Sequence, residues 1–448
     1  MLPAAPESTA FSGETGPWLV LDVDDTLVDT YKTGWAKCQE VARVLELEPP
    51  DELVFAGHYG HMGFAECVQR LHTGVDLARY VSAYDALADQ IPPVPLCDAR
   101  RLVQAATSAG MRCGILTNGP AVKTWRKLSA CGLDVSAFEF VVHGDNAAEP
   151  KPRAGSFTAL KDRGVDPRRA WYVADSAAEW RAAEAAGFRT VGVFTGRPVS
   201  CGHLPTLLLP SSAALPDIAP LLAAVTGPPC PQPPAAITFD AGFTLIEHIR
   251  DPARVVRDHL ARSGSAPPMS EVRAAMARAT DVLTSPDSWW ADPFTAESTL
   301  RRFYGDVLAG LGDASRSGAA SVLDAYTDPG NWRPMPGARE ILATARGSGQ
   351  RIGVLSNWQP SLVNVLASTG LDRYVDVVIA STTAGVAKPS PAAFLMAAEA
   401  LGVGAERLLH VGDRLVDDVL GALRAGCRAA LAAEPLRALS AAFRLPAG

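Results

Sequence analysis

The sequence predicts an α/β fold made of two doubly wound parallel sheets in tandem, each with a helical cap inserted after its first strand. Three features of the 448 residues carry that expectation: the chain repeats itself once, a proline-rich stretch separates the copies, and short apolar runs alternate with Ala-rich amphipathic stretches in each copy.

The repeat comes first, because a missed repeat miscalls the fold. WLVLDVDDTLVDT (18–30) has a partner in AAITFDAGFTLIEH (235–248), GILTNG (114–119) in GVLSNW (353–358), AEPKPRAGSFTAL (148–160) in GVAKPSPAAFLMA (385–397), and WYVADSAAEWRAAEAAG (171–187) in LLHVGDRLVDDVLGALRAG (408–426). Asp22 and Asp240 are 218 residues apart, whereas Thr117 and Ser356 are 239, Lys151 and Lys388 237, and Asp175 and Asp413 238. Three motifs therefore keep register, and the second copy carries a longer insert between its first and second motifs. TGPPCPQPP (226–234) can neither extend a helix nor join a sheet centre and is expected to be a linker, which puts domain one at about 15–225 and domain two at 235–448.

Within the copies, LVLDV, CGILT and TVGVF, then AITF, IGVLS, VVIA and LLHVG, have the unbroken apolar character of strands covered on both faces. Their alternation with helical stretches is the pattern of a parallel sheet. The segments at about 32–93 and 248–330 are helical with little strand patterning. An insertion directly after the first strand sits as a cap over the strand C-termini, the edge where open α/β sheets bind ligands.

Composition narrows the classes. A net charge of -7 and a pI near 5.7 speak against a nucleic-acid or anionic-membrane surface. The eight cysteines are scattered, without CxxC or zinc spacing, as expected for reduced thiols in a cytosol. Residues 1–16 lack a signal-peptide pattern and no stretch is a clean membrane span, so a cytoplasmic protein is expected.

Each motif falls at the end of a predicted strand, so all converge on one sheet edge. Asp22 and Asp24, two apart, face the same way; Thr117 brings a hydroxyl, Lys151 a fixed positive charge, and Asp175 and Glu179 further carboxylates. Oxygen ligands beside a phosphate suit Mg²⁺, and phosphoryl transfer asks mainly for positioning and charge neutralisation. One carboxylate can split a hydrolysis into two steps as nucleophile, and a second can protonate the leaving group and later activate water.

These motifs resemble the haloacid dehalogenase (HAD) superfamily: DxDx[TV], a hydrophobic run ending in Thr or Ser, a lysine, and a D(x3–4)[DE] pair, with a C1-type helical cap on a Rossmann-like domain. The resemblance implies Asp22 as nucleophile, Asp24 as general acid/base, and Thr117, Asn118 and Lys151 as phosphate binders. It implies metal ligands at Asp22, Asp24 (through its carbonyl), Asp175 and Glu179. Ala174, where the family usually has Gly, and Glu179 in place of a second Asp are departures. In domain two it implies Asp240 as nucleophile, Ser356, Asn357 and Lys388 as phosphate binders, and Asp240, Asp413, Asp417 and Asp418 as metal ligands. Gly242, however, stands where the acid/base Asp is expected. True dehalogenases also lack that Asp, but their acid-poor fourth motif does not match GDRLVDD. Phosphonatase-like members need a cap lysine, and Lys388 is the only lysine after Lys161.

In the caps, His58, Tyr59 and His61 are either substrate contacts or turn and packing residues, and Trp289 with Trp290 are expected to pack. The expected function is a Mg²⁺-dependent phosphatase acting on a small phosphorylated metabolite, mainly through domain one, with domain two degenerate or specialised. The alternatives are a phosphomutase and a non-catalytic tandem protein that binds a phospho-ligand or a partner.

Overall fold

The computed structural model describes residues 16–59, 64–194, 203–225, 232–280, 283, 289–313 and 315–432. His61 and most of the proline-rich stretch lie outside the described residues, as does the side chain of Trp289. The chain divides into two compact units, Met1–Pro231 and Gln232–Gly448.

Unit 1 contains β1 (Trp18–Leu21), β2 (Val28–Asp29), β3 (Val94–Pro95), β4 (Arg112–Leu116), β5 (Phe140–Val142), β6 (Ala170–Ala174), β7 (Arg189–Val193) and β8 (Leu207–Leu209). Its sheet runs β8-β7-β6-β1-β4-β5, and every neighbouring pair is parallel. In β1, β6 and β7 every residue is buried, the reason these runs are continuously apolar rather than alternating. Unit 2 contains β9 (Ala236–Phe239), β10 (Ile246–His248), β11 (Trp332–Pro334), β12 (Arg351–Ser356), β13 (Val377–Ala380), β14 (Leu408–Gly412) and β15 (Arg428–Leu431), with the parallel order β13-β12-β9-β14-β15.

Each unit carries a helical cap after its first strand. In unit 1 the antiparallel pair β2–β3 brackets helices Thr30–Val44, Glu52–His58, Phe64–Leu71 and Leu77–Ala86; in unit 2 β10–β11 brackets Pro252–Arg262, Met269–Ala279, Pro293–Ala309 and Arg316–Thr327. Aspartates start many of these helices: Asp29, Asp51, Asp76, Asp251 and Asp292 each accept a hydrogen bond from an otherwise unpaired first-turn amide. Each cap has its own apolar core, around Cys38, Val41, Phe55, Val68 and Tyr80 in unit 1 and around Val256, Leu260, Phe303, Tyr304 and Val307 in unit 2. No helix among the described residues is long and apolar enough to cross a membrane.

The turn leaving β1 is repeated after β9. Asp25 (φ 51) and Phe243 (φ 57) both take the left-handed conformation, and each amide bonds back onto the start of the following strand, on Val28 and Ile246. That conformation is unfavourable for a bulky side chain. Asp25 offsets the cost by accepting from the amides of Thr30 and Tyr31, whereas Phe243 remains half exposed.

Candidate active site

The edge defined by the C-termini of β1, β4 and β6 brings together most of the residues that the sequence singles out. Asp22 follows β1 and is buried. Lys151, buried in the loop before helix Ala154–Lys161, places Nζ 2.6 Å from Asp22 Oδ1 and 2.9 Å from Glu179 Oε2. The Tyr172 hydroxyl, inside β6, accepts from Lys151 Nζ at 3.0 Å and donates to Glu179. Asp24 lies on the other side of the opening, paired with Lys127 and 3.5 Å from the Thr117 hydroxyl, which also accepts from the Gly119 amide.

The charges explain the electrostatics. Burial pushes the Asp22 carboxyl up to about 7, with Lys151 pulling the other way and the charges of Glu179 and Asp24 adding to the rise. Burial also drives Asp175 well above the usual carboxylate range, helped by Asp22 and Glu179 and opposed by Lys151. Asp24 is held low: burial works against ionisation, but the charge and hydrogen bond of Lys127, together with Lys151 and Thr30, outweigh it. Asp22, Asp175 and Glu179 thus stand close enough for their charges to suppress ionisation of Asp22 and Asp175, crowding that a divalent cation would relieve.

Unit 2 repeats the arrangement with substitutions. Lys388 Nζ lies 2.7 Å from Asp240 Oδ1 and also pairs with Asp418. His410 takes the place of Tyr172: its Nε2 lies 3.0 Å from Asp418 Oδ1, and its Nδ1 lies 2.9 Å from the Thr238 hydroxyl. Carboxylate oxygens of Asp240, Asp413 and Asp418 lie within 4.8 Å of one another, the one such group of three among the described residues. Asp413 Oδ1 is buried without a hydrogen-bond partner, and burial with the neighbouring Asp240 and Asp418 charges pushes this carboxyl up to about 6. An orphaned carboxylate oxygen on one member of a close group of three carboxylates fits Mg²⁺, a hard ion that takes oxygen ligands.

Several predicted residues stand differently from their expected contacts. Asn118 turns its amide to the main chain of Lys151, donating to the carbonyl at 3.0 Å and accepting from the amide at 2.8 Å; Asn357 does the same to Lys388, at 2.9 Å each. Both asparagines thus fix the lysine loop. Asp417 faces Arg414 at 2.9 Å and is not in the group of three, while Asp418 also accepts from the Arg414 amide at 2.9 Å. The difference has a local cause: residues Leu415–Leu420 form a π-helical turn, which brings the acid five residues after Asp413, rather than four, to the lysine. Ser356 is buried at the end of β12, as Thr117 is at the end of β4. In the cap, Tyr59 stacks on Phe55 with centroids 4.5 Å apart, the packing role; Asp24 nevertheless contributes to raising its phenol, after burial and Tyr84. Trp290 packs against the unit 2 cap core.

Ala174 now has an explanation. Its counterpart Gly412 admits the short Asp418 side chain, because a Cβ at 412 would overlap that carboxyl group, whereas Glu179 reaches Lys151 from farther off. Gly412→Ala is expected to displace Asp418 from Lys388 and to cost about 1–3 kcal/mol of overpacking. Loss of amide protection in β14, measured by hydrogen exchange, would report it; unchanged protection would contradict the packing argument.

Lys127, Tyr172, His410 and Trp358 escape sequence reasoning. Tyr172 and His410 sit inside strands and look like core, and Lys127 looks like an ordinary surface lysine of a helix. The signal available for the first two is that a polar atom recurs at the same strand position in both copies.

Comparison with known proteins gives the family. Family models for haloacid dehalogenase-like hydrolase match residues 19–193 and 235–426. The chain belongs to this family as a tandem duplication of the domain. It is 34% identical over 140 residues to haloacid dehalogenase-like hydrolase domain-containing protein 3 of Xenopus laevis, covering 31% of this chain and 54% of that one. It is 34% identical over 150 residues to a phosphoserine phosphatase of Thermus thermophilus, covering 33% and 58%. The chain thus spans about half the length of the curated relatives it matches. A solved structure, a predicted phosphoglycolate phosphatase from Haemophilus somnus, aligns at 20% identity and a TM-score of 0.40, covering 46% of this chain and 99% of that one.

Proposed function

We propose that this chain is a Mg²⁺-dependent phosphatase that hydrolyses a small phosphate monoester at unit 1 through a phosphorylated Asp22. The observation that carries the reading is the pair Asp22 and Asp24 at one opening, each with its own lysine: Lys151 at 2.6 Å from Asp22 and Lys127 on Asp24. The roles follow position and not resting ionisation: Lys127 holds Asp24 low in the free protein, and the negative charge of an incoming phosphate raises it toward the protonated form that a leaving alcohol needs.

In this scheme Lys151 holds the Asp22 carboxylate in place and offsets charge on the incoming phosphate. The Thr117 hydroxyl, with the amides that follow β4, offers donors to the phosphate oxygens. Asp24 delivers the proton to the departing alcohol and then takes one from water. Lys127 sets its resting position, so approach of the dianionic phosphate is what frees this carboxylate to move. Asp22, Asp175 and the Asp24 carbonyl would hold Mg²⁺, with Asp240, Asp413 and Asp418 the corresponding set in unit 2; the ion, when bound, neutralises charge developing on the phosphate. Glu179 serves chiefly to orient Lys151.

Phosphate release from a panel of phosphorylated sugars, nucleotides and small acids tests the proposal. Release is expected with Mg²⁺ and is expected to be lost on chelation, with solvent ¹⁸O appearing in the free phosphate. A mutase would return the phosphoryl group to the substrate without that label, and metal-independent release would remove the cation from the scheme.

A further inference from the structure

Unit 2 retains the groups that receive a phosphoryl group and has lost, as a set, those that assist an alcohol leaving group. In unit 1 three residues make the acid/base corner: Asp24, its partner Lys127, and Gly119, where a Cβ would stand 3.6 Å from Asp24 Oδ2. All three differ in unit 2. Gly242 replaces Asp24, Trp358 replaces Gly119, and Val365, fully buried, stands where Lys127 does, five residues before the left-handed glycine that ends each helix (Gly132, Gly370). The Trp358 ring fills the corner: a Cβ on Gly242 would meet its Cζ3 at 3.2 Å, and Trp332 braces the ring edge-on with centroids 4.8 Å apart. A corner that has been refilled and braced is a rebuilt surface, not one missing side chain.

The receiving half is built as in unit 1. Asp240 and Lys388 are both buried and 2.7 Å apart, Ser356 ends β12, and Asp418 is fixed by Lys388, His410 and the Arg414 amide. Asp413 Oδ1 is left with no partner beside them.

We propose that unit 2 is a phosphoryl-accepting site for small acyl phosphates, in which Asp240 takes the phosphoryl group and retains it. An alcohol leaves poorly without a proton, and none of Gly242, Trp358 and Val365, the residues that replace the acid/base trio, can deliver one. A carboxylate, whose acid has a pKa of about 4, leaves unaided. In the step, a carboxylate oxygen of Asp240 attacks phosphorus, the bond from phosphorus to the acyl oxygen breaks, and its electron pair departs on the carboxylate. The products are phosphorylated Asp240 and a carboxylate anion; no proton moves and no other reactant is consumed. Water attack on the adduct then lacks a base, which lengthens its life by about 10²–10⁴-fold relative to a site that has one. The apolar Trp358–Trp332 wall keeps water from that side. The inference rests on the reading above in one respect, that an aspartate paired with a buried lysine in this fold accepts phosphoryl groups.

The test uses the full chain carrying Asp22→Asn, which silences unit 1, incubated with Mg²⁺ and either acetyl phosphate or glycerol 3-phosphate, then acid-quenched for intact and peptide mass. The expected result is one HPO₃ on the peptide containing Asp240 with acetyl phosphate only. It should disappear on chelation, on hydroxylamine treatment and when Asp240→Asn is added. No adduct in a protein whose circular dichroism matches the wild type, an adduct elsewhere in the chain, or equal labelling by glycerol 3-phosphate would each overturn the proposal. Turnover of alkyl phosphates by the wild type reports on Asp22 separately, so failure of the unit 1 reading leaves this result standing, and the converse also holds.

Discussion

Replacing Asp22 with Asn is expected to abolish phosphate release from alkyl phosphates, by roughly 10⁴- to 10⁶-fold, the scale on which removing a covalent nucleophile acts. The amide is nearly isosteric and still accepts from Lys151 Nζ, so the opening keeps its shape while losing a nucleophilic oxygen. Burial and the surrounding carboxylates raise Asp22 to about 7, so the substitution also relieves charge crowding; the variant should be at least as stable as the wild type in chelator. Full activity in Asp22→Asn would remove this residue from the chemistry. A loss of activity accompanied by loss of structure would contradict the electrostatic argument, because it would show that the ionised carboxylate holds the fold.

Lys151→Met is expected to have the largest effect on stability. The lysine is buried and pairs with both Asp22 and Glu179, and its main chain is held by Asn118. Methionine fills similar volume but leaves the buried Asp22 and the part-buried Glu179 without a countercharge, a change that for a buried pair typically costs about 3–5 kcal/mol. Denaturant unfolding in chelator, with hydrogen exchange at β1 and β6 to localise the effect, measures it. Adding Asp22→Asn and Glu179→Gln to Lys151→Met should recover much of the lost stability and none of the activity. A Lys151→Met protein as stable as the wild type would show that the three charges are not coupled.

Much of the architecture was legible because each motif residue follows a run whose apolar character is continuous, as a doubly covered strand demands. β1, β4, β9, β12 and β14 could all be placed this way, and the caps followed from helical periodicity between β1 and β4 and between β9 and β12. Two strands were harder: β8 and β15 are short and follow no chemical motif. Within the site, the convergence of the aspartate and lysine motifs on one sheet edge was legible from their places after predicted strands, but the pairing of Lys151 with Asp22 and the supports around it were not. Lys127 meets Asp24 across 103 residues, and nothing local distinguishes it from a solvated helix lysine. Asn118 and Asn357 carry amides that suit a phosphate or a main chain equally, and only the fold decides between them. Asp417 and Asp418 could not be separated on paper, because a regular helix and a π-helical turn present different acids to the same lysine. The rebuilt corner around Trp358 was invisible for a related reason: Gly242 announces a missing acid, but what fills its place comes from a different motif.

The central claim is that turnover of alkyl phosphates belongs to the half with Asp24 and not to the half with Gly242. The most direct measurement is phosphate release by Asp240→Asn beside Asp22→Asn, on the same substrate and with Mg²⁺. Release kept near the wild-type rate in Asp240→Asn and lost in Asp22→Asn is the expected result. Release lost in Asp240→Asn and kept in Asp22→Asn would place the working site in unit 2 and contradict it.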